Sequence, residues 1–186
     1  MPDDRQLLEA YSRRGDLESL SALVAAHSTR LLALLRGLLP SKEDAEDALQ
    51  ETWMRVIRSC GSYRGGSVRA YLACIARSVA IDRLRRSDAP AVRLDEEDED
   101  GGTAADWLEA AGPTPDRAFE TRATAADVRI AIRALPMRQR EVLLLRIEAE
   151  LTFQEIADEL GIPLGTALTR MREATERLRK TLGGMR

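Results

Sequence analysis

Aromatic side chains make up only 4% of this 186-residue chain, and histidine occurs once. Cysteine occurs twice, as Cys60 and Cys74. These scarcities remove most catalytic options. A single His27, far in sequence from either thiol, supports no Cys-His nucleophile pair. The cysteines lack metal-ligand spacing, and no glycine-rich phosphate loop is present. The chain therefore reads as a non-enzyme with no cofactor and no metal, and with two reduced thiols. No apolar run approaches the length of a membrane span, so membrane insertion is not expected. MPDDRQLLEA lacks the basic and apolar regions of a secretory signal, which makes a cytoplasmic protein the expectation. Strand-type alternation is also missing, while charged residues reach 32%. Length and composition point to one or two small all-α domains with aliphatic cores.

The net charge of −3 looks wrong for a nucleic-acid binder, but its distribution is informative. Residues 1–86 carry 14 basic and 11 acidic residues, and residues 121–186 carry 12 and 9, so each end is +3. Residues 87–120 carry 2 basic and 11 acidic residues, or −9. Within that middle, Asp95 to Asp100 are six adjacent acids, followed by Gly101-Gly102 and later by Gly112-Pro113-Thr114-Pro115. Like-charge repulsion and the two prolines favour an extended, flexible linker, with Trp107 and Leu108 able to dock in a short local helix. The expected organisation is a helical domain at 5–87, an acidic linker at 88–121 and a second helical domain at 122–183.

In the first domain, Leu17, Leu20, Leu23 and Val24 recur at helical spacing. Leu31, Leu34, Leu35 and Leu38 continue the pattern after an expected break. Ser41 is the expected N-cap of a third helix whose apolar stripe is Ala45, Leu49, Trp53 and Val56. Its opposite face carries Glu43, Asp44, Glu46, Asp47, Gln50 and Glu51. After the loop CGSYRGGS, a helix from about Ser67 to Arg86 has Val68, Leu72, Ile75 and Val79 on its buried stripe and a basic end.

The second domain reads as LPMRQREVLLLR, LTFQEIADEL, a GIP turn and LGTALTRMREATERLRK. Thr152 and Glu155 form a capping box, Ala157 is small enough for two helices to cross closely, and Gly161 permits a left-handed turn. Ala167, Met171, Ala174 and Leu178 form the stripe of the last helix. Spacing, cap, small residue and turn glycine together specify a helix-turn-helix, a unit that usually reads DNA.

These residues carry a resemblance. Leu135 to Arg179 resembles the fourth-region domain of bacterial sigma factors of the extracytoplasmic-function group. SKEDAEDALQETWMRVIR followed by SYRGGSVRAYLACIARSVAIDRLRR resembles the second-region domain of the same family, in the same order. The resemblance implies a protein that docks on core RNA polymerase and directs it to promoter DNA, commonly held by an anti-sigma factor. It implies that Asp44, Asp47, Gln50 and Glu51 meet the polymerase clamp. It places Tyr63, Arg64, Ser67, Tyr71, Arg77, Ser78, Arg83, Arg85 and Arg86 at the downstream (−10) element. There, basic residues grip the backbone and the glycine loop lets unstacked bases approach. It places Thr152, Thr166, Leu168, Thr169, Arg170 and Arg172 at the upstream (−35) element, with the last helix in the major groove.

The sequence departs from the family's pattern in places. Ser78 stands where asparagine is common and Tyr71 where tryptophan is. Ala167 and Leu168 replace a valine and a basic residue, and Glu173 and Thr175 occupy positions that are usually basic. Three missing cations predict weaker phosphate affinity and a shallower salt dependence for the reading helix. Leu168 can meet a thymine methyl, the core or a partner. The linker is either an RNA mimic in a basic channel or a solubilising spacer. Two other readings stay open on residues alone: an ordinary helix-turn-helix regulator, which would leave Asp44–Arg86 without a role, and a sigma-like decoy that titrates an anti-sigma protein.

Overall fold

The computed structural model describes residues 3–86 and 124–184. Among these there are eight α-helices and no strand: α1 Asp4–Arg14, α2 Leu17–Leu38, α3 Lys42–Ser59, α4 Val68–Arg86, α5 Ala125–Arg133, α6 Met137–Ile147, α7 Phe153–Leu160 and α8 Leu164–Gly183. A 3-10 turn, Cys60–Ser62, closes α3. The expected acidic linker at 88–121, and the short helix at Trp107 and Leu108, lie outside the described residues.

Helix starts follow the local chemistry. The Asp16 carboxylate accepts from the Glu18 N–H at 3.1 Å and opens α2. The Ser41 hydroxyl accepts from the Asp44 N–H at 2.9 Å and opens α3. Thr152 and Glu155 form the reciprocal capping box of α7. The break expected inside α2 is absent, and α2 runs unbroken for 22 residues, about 33 Å. The polar Ser28–Thr29 pair costs the helix only tenths of a kcal/mol. Against that, Leu23, His27, Leu31, Leu34, Leu35 and Leu38 are all buried along one continuous face. His27 Nε2 lies 2.9 Å from Asp4 Oδ2 and ties α1 to this axis.

The core of the first half is α2 with Ala45, Ala48, Trp53 and Val56 of α3 and Leu72, Ala76 and Val79 of α4. Trp53 keeps its polar edge satisfied by donating from Nε1 to Ser28 Oγ at 3.1 Å. In the second half, α7 and α8 form the helix-turn-helix, with Gly161 at φ 64° in the turn. α6 is unlike an ordinary amphipathic helix, because Val142, Leu143, Leu144 and Leu145 are all buried. A helix that is apolar around its circumference needs neighbours on more than one side. Leu143 packs with Leu135 and Ala174 inside the second half. On another side α6 meets α2, where a Cβ on Gly37 would stand 2.6 Å from both methyls of Leu144. The two halves therefore share one continuous hydrophobic core.

Candidate nucleic-acid interface

The loop between α3 and α4 is built around two adjacent glycines. Gly65 and Gly66 both have φ 97°, a conformation that side chains other than glycine rarely adopt, and a Cβ on either would meet only open space. The backbone here is thus shaped by conformation and left accessible. Tyr63 donates its hydroxyl to the Gly66 carbonyl at 2.7 Å and so braces the loop. Its ring packs on Tyr71 at a centroid distance of 5.3 Å. Tyr71 in turn shares a 2.7 Å hydrogen bond with Ser59 Oγ. Both tyrosines are half-buried, and burial raises both phenol pKa values. Arg64, Ser67, Ser78, Arg85 and Arg86 are exposed.

The remaining basic residues of this face are engaged. Arg83 is only 27% exposed and turns toward α3, with Nε 3.5 Å from Glu51 and Nη1 3.8 Å from Asp47. Arg77 is 23% exposed, with Nε 2.9 Å from Glu141 Oε1 of α6. In this conformation Arg77 and Arg83 are partners of carboxylates, because acids on neighbouring helices lie within ion-pair reach.

The acidic face of α3 divides in the same way. Asp47 (67% exposed) and Gln50 are presented to solvent. Asp44 also serves the helix start, accepting from Ser41 Oγ at 2.7 Å. Glu51 is bridged by Arg55 at 2.6 Å, which lowers its pKa, and the fields of Arg83 and Arg86 add to this. Arg55 passes the link to Asp82 of α4 at 2.9 Å.

On α8, Arg170 departs from expectation. It is buried, and its Nε finds no hydrogen-bond partner among the described residues. It lies beneath the helix surface with Ala167 and Ala174 because positions 167, 170 and 174 share one face. Arg172 is exposed, while Thr166, Leu168 and Thr169 are half-buried. Thr152 is exposed, but its hydroxyl is occupied by the cap. The unusual acid Glu173 has a structural partner, since Gln139 Nε2 of α6 donates to it at 2.7 Å.

Several residues escaped the sequence reading. Glu150, between α6 and α7, sits 2.9 Å from Arg30 and 3.1 Å from Arg69. Glu159 approaches Arg77 at 4.0 Å. Glu155, Asp158 and Glu159 of α7 face Ser67, Ala70, Tyr71 and Cys74 across a cleft of about 360 Å³. Burial, and then the neighbouring Glu159, push the Cys74 thiol up to about 12, leaving it unreactive. Helical periodicity carries no sign of these contacts, because they pair residues 64 to 120 positions apart.

Glu141 is the most buried of these acids, at 4% exposure. Desolvation raises its pKa despite the opposing pull of Arg77, with Arg170 and Arg138 adding to that pull. A carboxylate whose folded pKa is raised stabilises the fold at low pH and loses that contribution as pH rises through the folded value. Glu141→Gln removes this dependence. The stability of the natural protein relative to Glu141→Gln is therefore expected to rise on acidification from neutrality toward about 4.3, by at most about 1.4 kcal/mol per pH unit. Paired urea titrations at several pH values measure it, and a relative loss on acidification would refute it.

Comparisons with known proteins identify the family. A family model described as Sigma-70 region 2 matches residues 23–89, and one described as Sigma-70, region 4 matches residues 131–180. The ECF RNA polymerase sigma factor SigM of Mycobacterium tuberculosis is 32% identical over 181 residues, covering 97% of this chain and 85% of that protein. The chain belongs to the extracytoplasmic-function (ECF) sigma factors. SigW of Bacillus subtilis is 30% identical, covering 91% of this chain and 92% of its own length. Among solved structures, CnrH in complex with the cytosolic domain of CnrY superposes with a TM-score of 0.69 at 22% identity, covering 98% of this chain and 99% of that one. RpoE of Bartonella quintana, in complex with the anti-sigma factor NepR, gives 0.65 at 22% identity, covering 89% and 98%. As an ECF sigma factor, the protein directs RNA polymerase to promoters in transcription initiation. Its α1–α4 half carries region 2 and its α5–α8 half carries region 4. No helix among the described residues is long and apolar enough to cross a membrane.

Proposed function

We propose that this sigma factor docks on core polymerase through α3, chiefly Asp47 and Gln50, and engages the −10 element through the Tyr63–Gly66 loop and the basic end of α4. In the same reading α8 meets the −35 element through Arg172, Thr166, Leu168 and Thr169. Arg170 supports that helix from beneath, and the acidic segment 88–121 joins the two units along the chain. The protein acts by binding alone and has no catalytic residues. An anti-sigma factor of the kind that holds RpoE is proposed as its inhibitor, and the cytoplasm as its place of action. The observation that carries this reading is the Gly65-Gly66 loop in its positive-φ conformation, braced by Tyr63 and bordered by the exposed Arg64.

The test is transcription from a promoter library by core polymerase with this protein added. Promoter-dependent transcripts are expected. Polymerase binding without transcripts would favour the decoy reading, for which the cation-poor α8 is the motivating observation.

The polymerase face has its own test. The double variant Asp47→Lys, Gln50→Lys is expected to bind core polymerase at least tenfold more weakly, a change of about 1.4 kcal/mol. Its melting should be little changed, since both side chains are exposed. Electrostatic docking of this kind should also weaken with salt. Unaltered polymerase affinity would remove α3 from the docking surface.

A further inference from the structure

α8, the helix assigned above to the −35 element, is held against α6 by an apolar seam with a polar pair set into it. Leu135 and Leu143 pack with Ala174, and Ile132, Met171 and Leu178 close round them. Gln139 stands four residues from each of Leu135 and Leu143 in sequence and is 5% exposed. Its Nε2 donates to Glu173 Oε2 at 2.7 Å across the seam. Its Oε1 is buried and has no hydrogen-bond partner among the described residues. The Glu173 carboxylate is therefore what satisfies this buried amide. Glu173 itself is half-buried, directly before Ala174. Three residues earlier lies the buried Arg170, whose charge acts on Glu141 of α6.

Apolar contacts decide how strongly two helices attract, but they fix register poorly. Burial of Ala, Met and Leu is non-directional, so it survives a small slide or rotation of α8. A hydrogen bond to a carboxylate is short and directional, and it is lost outside a narrow range of distance and angle. A polar group in an apolar helix seam lowers stability but fixes register, because other pairings leave it buried and unpaired. Register decides what α8 presents to the groove. Adjacent residues are about 100° apart around a helix, so a rotation by one position exchanges neighbours. Such a rotation would put the Glu173 carboxylate where the exposed Arg172 now stands.

We propose that the Gln139–Glu173 pair sets the register of the reading helix, so that Glu173 is a positioning residue for −35 selectivity. This rests on the assignment of α8 to that element. It also gives the acid a reason to stand where the family usually carries a cation. Position 173 grips the scaffold here and leaves the groove to Arg172 and Thr169.

Three variants of the full chain test this, each added to core polymerase. The template is a promoter recovered with the natural protein and randomised at its −35 element. Sequencing the transcripts gives the ratio between preferred and disfavoured −35 sequences. Glu173→Ala and Glu173→Gln carry the same charge, but only the glutamine keeps an acceptor for Gln139. Gln139→Leu keeps the charge of Glu173 and removes the donor, placing an aliphatic side chain in an aliphatic seam. Glu173→Ala and Gln139→Leu are each expected to lower the ratio about tenfold, the size of one good base contact. Glu173→Gln is expected to keep it. Gln139→Leu is expected to melt no lower than the natural protein, because an apolar residue replaces a buried polar one. Glu173→Ala and Gln139→Leu proteins that keep the natural ratio would overturn the proposal. Glu173→Gln falling as far as Glu173→Ala would do the same, since charge would then be the cause. So would a loss of selectivity by Gln139→Leu that comes with a loss of thermal stability, which marks a structural role alone. A natural protein that transcribes with no −35 preference sinks the assignment of α8 itself, whereas a natural preference retained by both bond-breaking variants sinks only the positioning role.

Discussion

Leu145→Ala is expected to cost about 2–5 kcal/mol of folding stability, which is a large part of the roughly 5–15 kcal/mol available to a protein of this kind. The reason lies in the position of α6. Leu145 is fully buried and belongs to the same core as Leu151, Ile156 and Ala167, so its loss leaves a cavity in the packed interior. Leu144, one residue earlier, is also buried, but it meets Gly37 of the other half. Leu144→Ala is expected to cost less, because a cavity between two halves can be relieved by small shifts of one against the other. Denaturant midpoints of the two variants measure the difference. A loss below about 1 kcal/mol for Leu145→Ala would mean that α6 is not the packed centre of its half.

The same helix shows what was legible in the sequence and what was not. The helix-turn-helix could be read because its cues are local. A capping box at Thr152 and Glu155 and a left-handed Gly161 act within a few residues, and each has the expected geometry. The apolar stripes of α3 and α8 could be read for the same reason. The run Val142 to Leu145 was visible as apolar, but nothing local says what covers its second side. That answer comes from Gly37, about a hundred residues away, where a missing side chain makes room. The candidate site divides along this line too. The Gly65-Gly66 loop was found from its composition, whereas the engagement of Arg77, Arg83 and Arg170 was not. Each of those arginines counts as a cation in a charge tally, and only packing decides whether it points to solvent, to a carboxylate or into the interior. Family resemblance also could not supply the reason for Glu173. As a missing cation it looked like a defect in DNA binding, yet it is a hydrogen-bond acceptor tying α8 to α6.

The double variant Gly65→Ala, Gly66→Ala is expected to lower promoter-dependent transcription by about ten- to a hundredfold while barely changing thermal stability. Both residues sit at φ 97°, and holding a side-chain-bearing residue in such a region costs of order 1–3 kcal/mol. Nothing lies within 4 Å of where a Cβ would sit on either glycine, so the penalty is purely conformational and not a clash. An exposed loop escapes such a penalty by moving, and the helices that flank it keep their cores, which is why melting should change little. The function should not escape. Moving the loop breaks the bond from Tyr63 to the Gly66 carbonyl and frees the Tyr63 ring from its packing on Tyr71. The surface offered to unstacked bases is then no longer preorganised, and each 1.4 kcal/mol of reorganisation is about a factor of ten in the open complex. Permanganate footprinting locates the defect. Reactivity at the −10 element should fall, while protection of the −35 element should persist, because α8 lies in the other half of the chain. Full opening by the double variant would show that the loop's conformation is not what engages the separated strand.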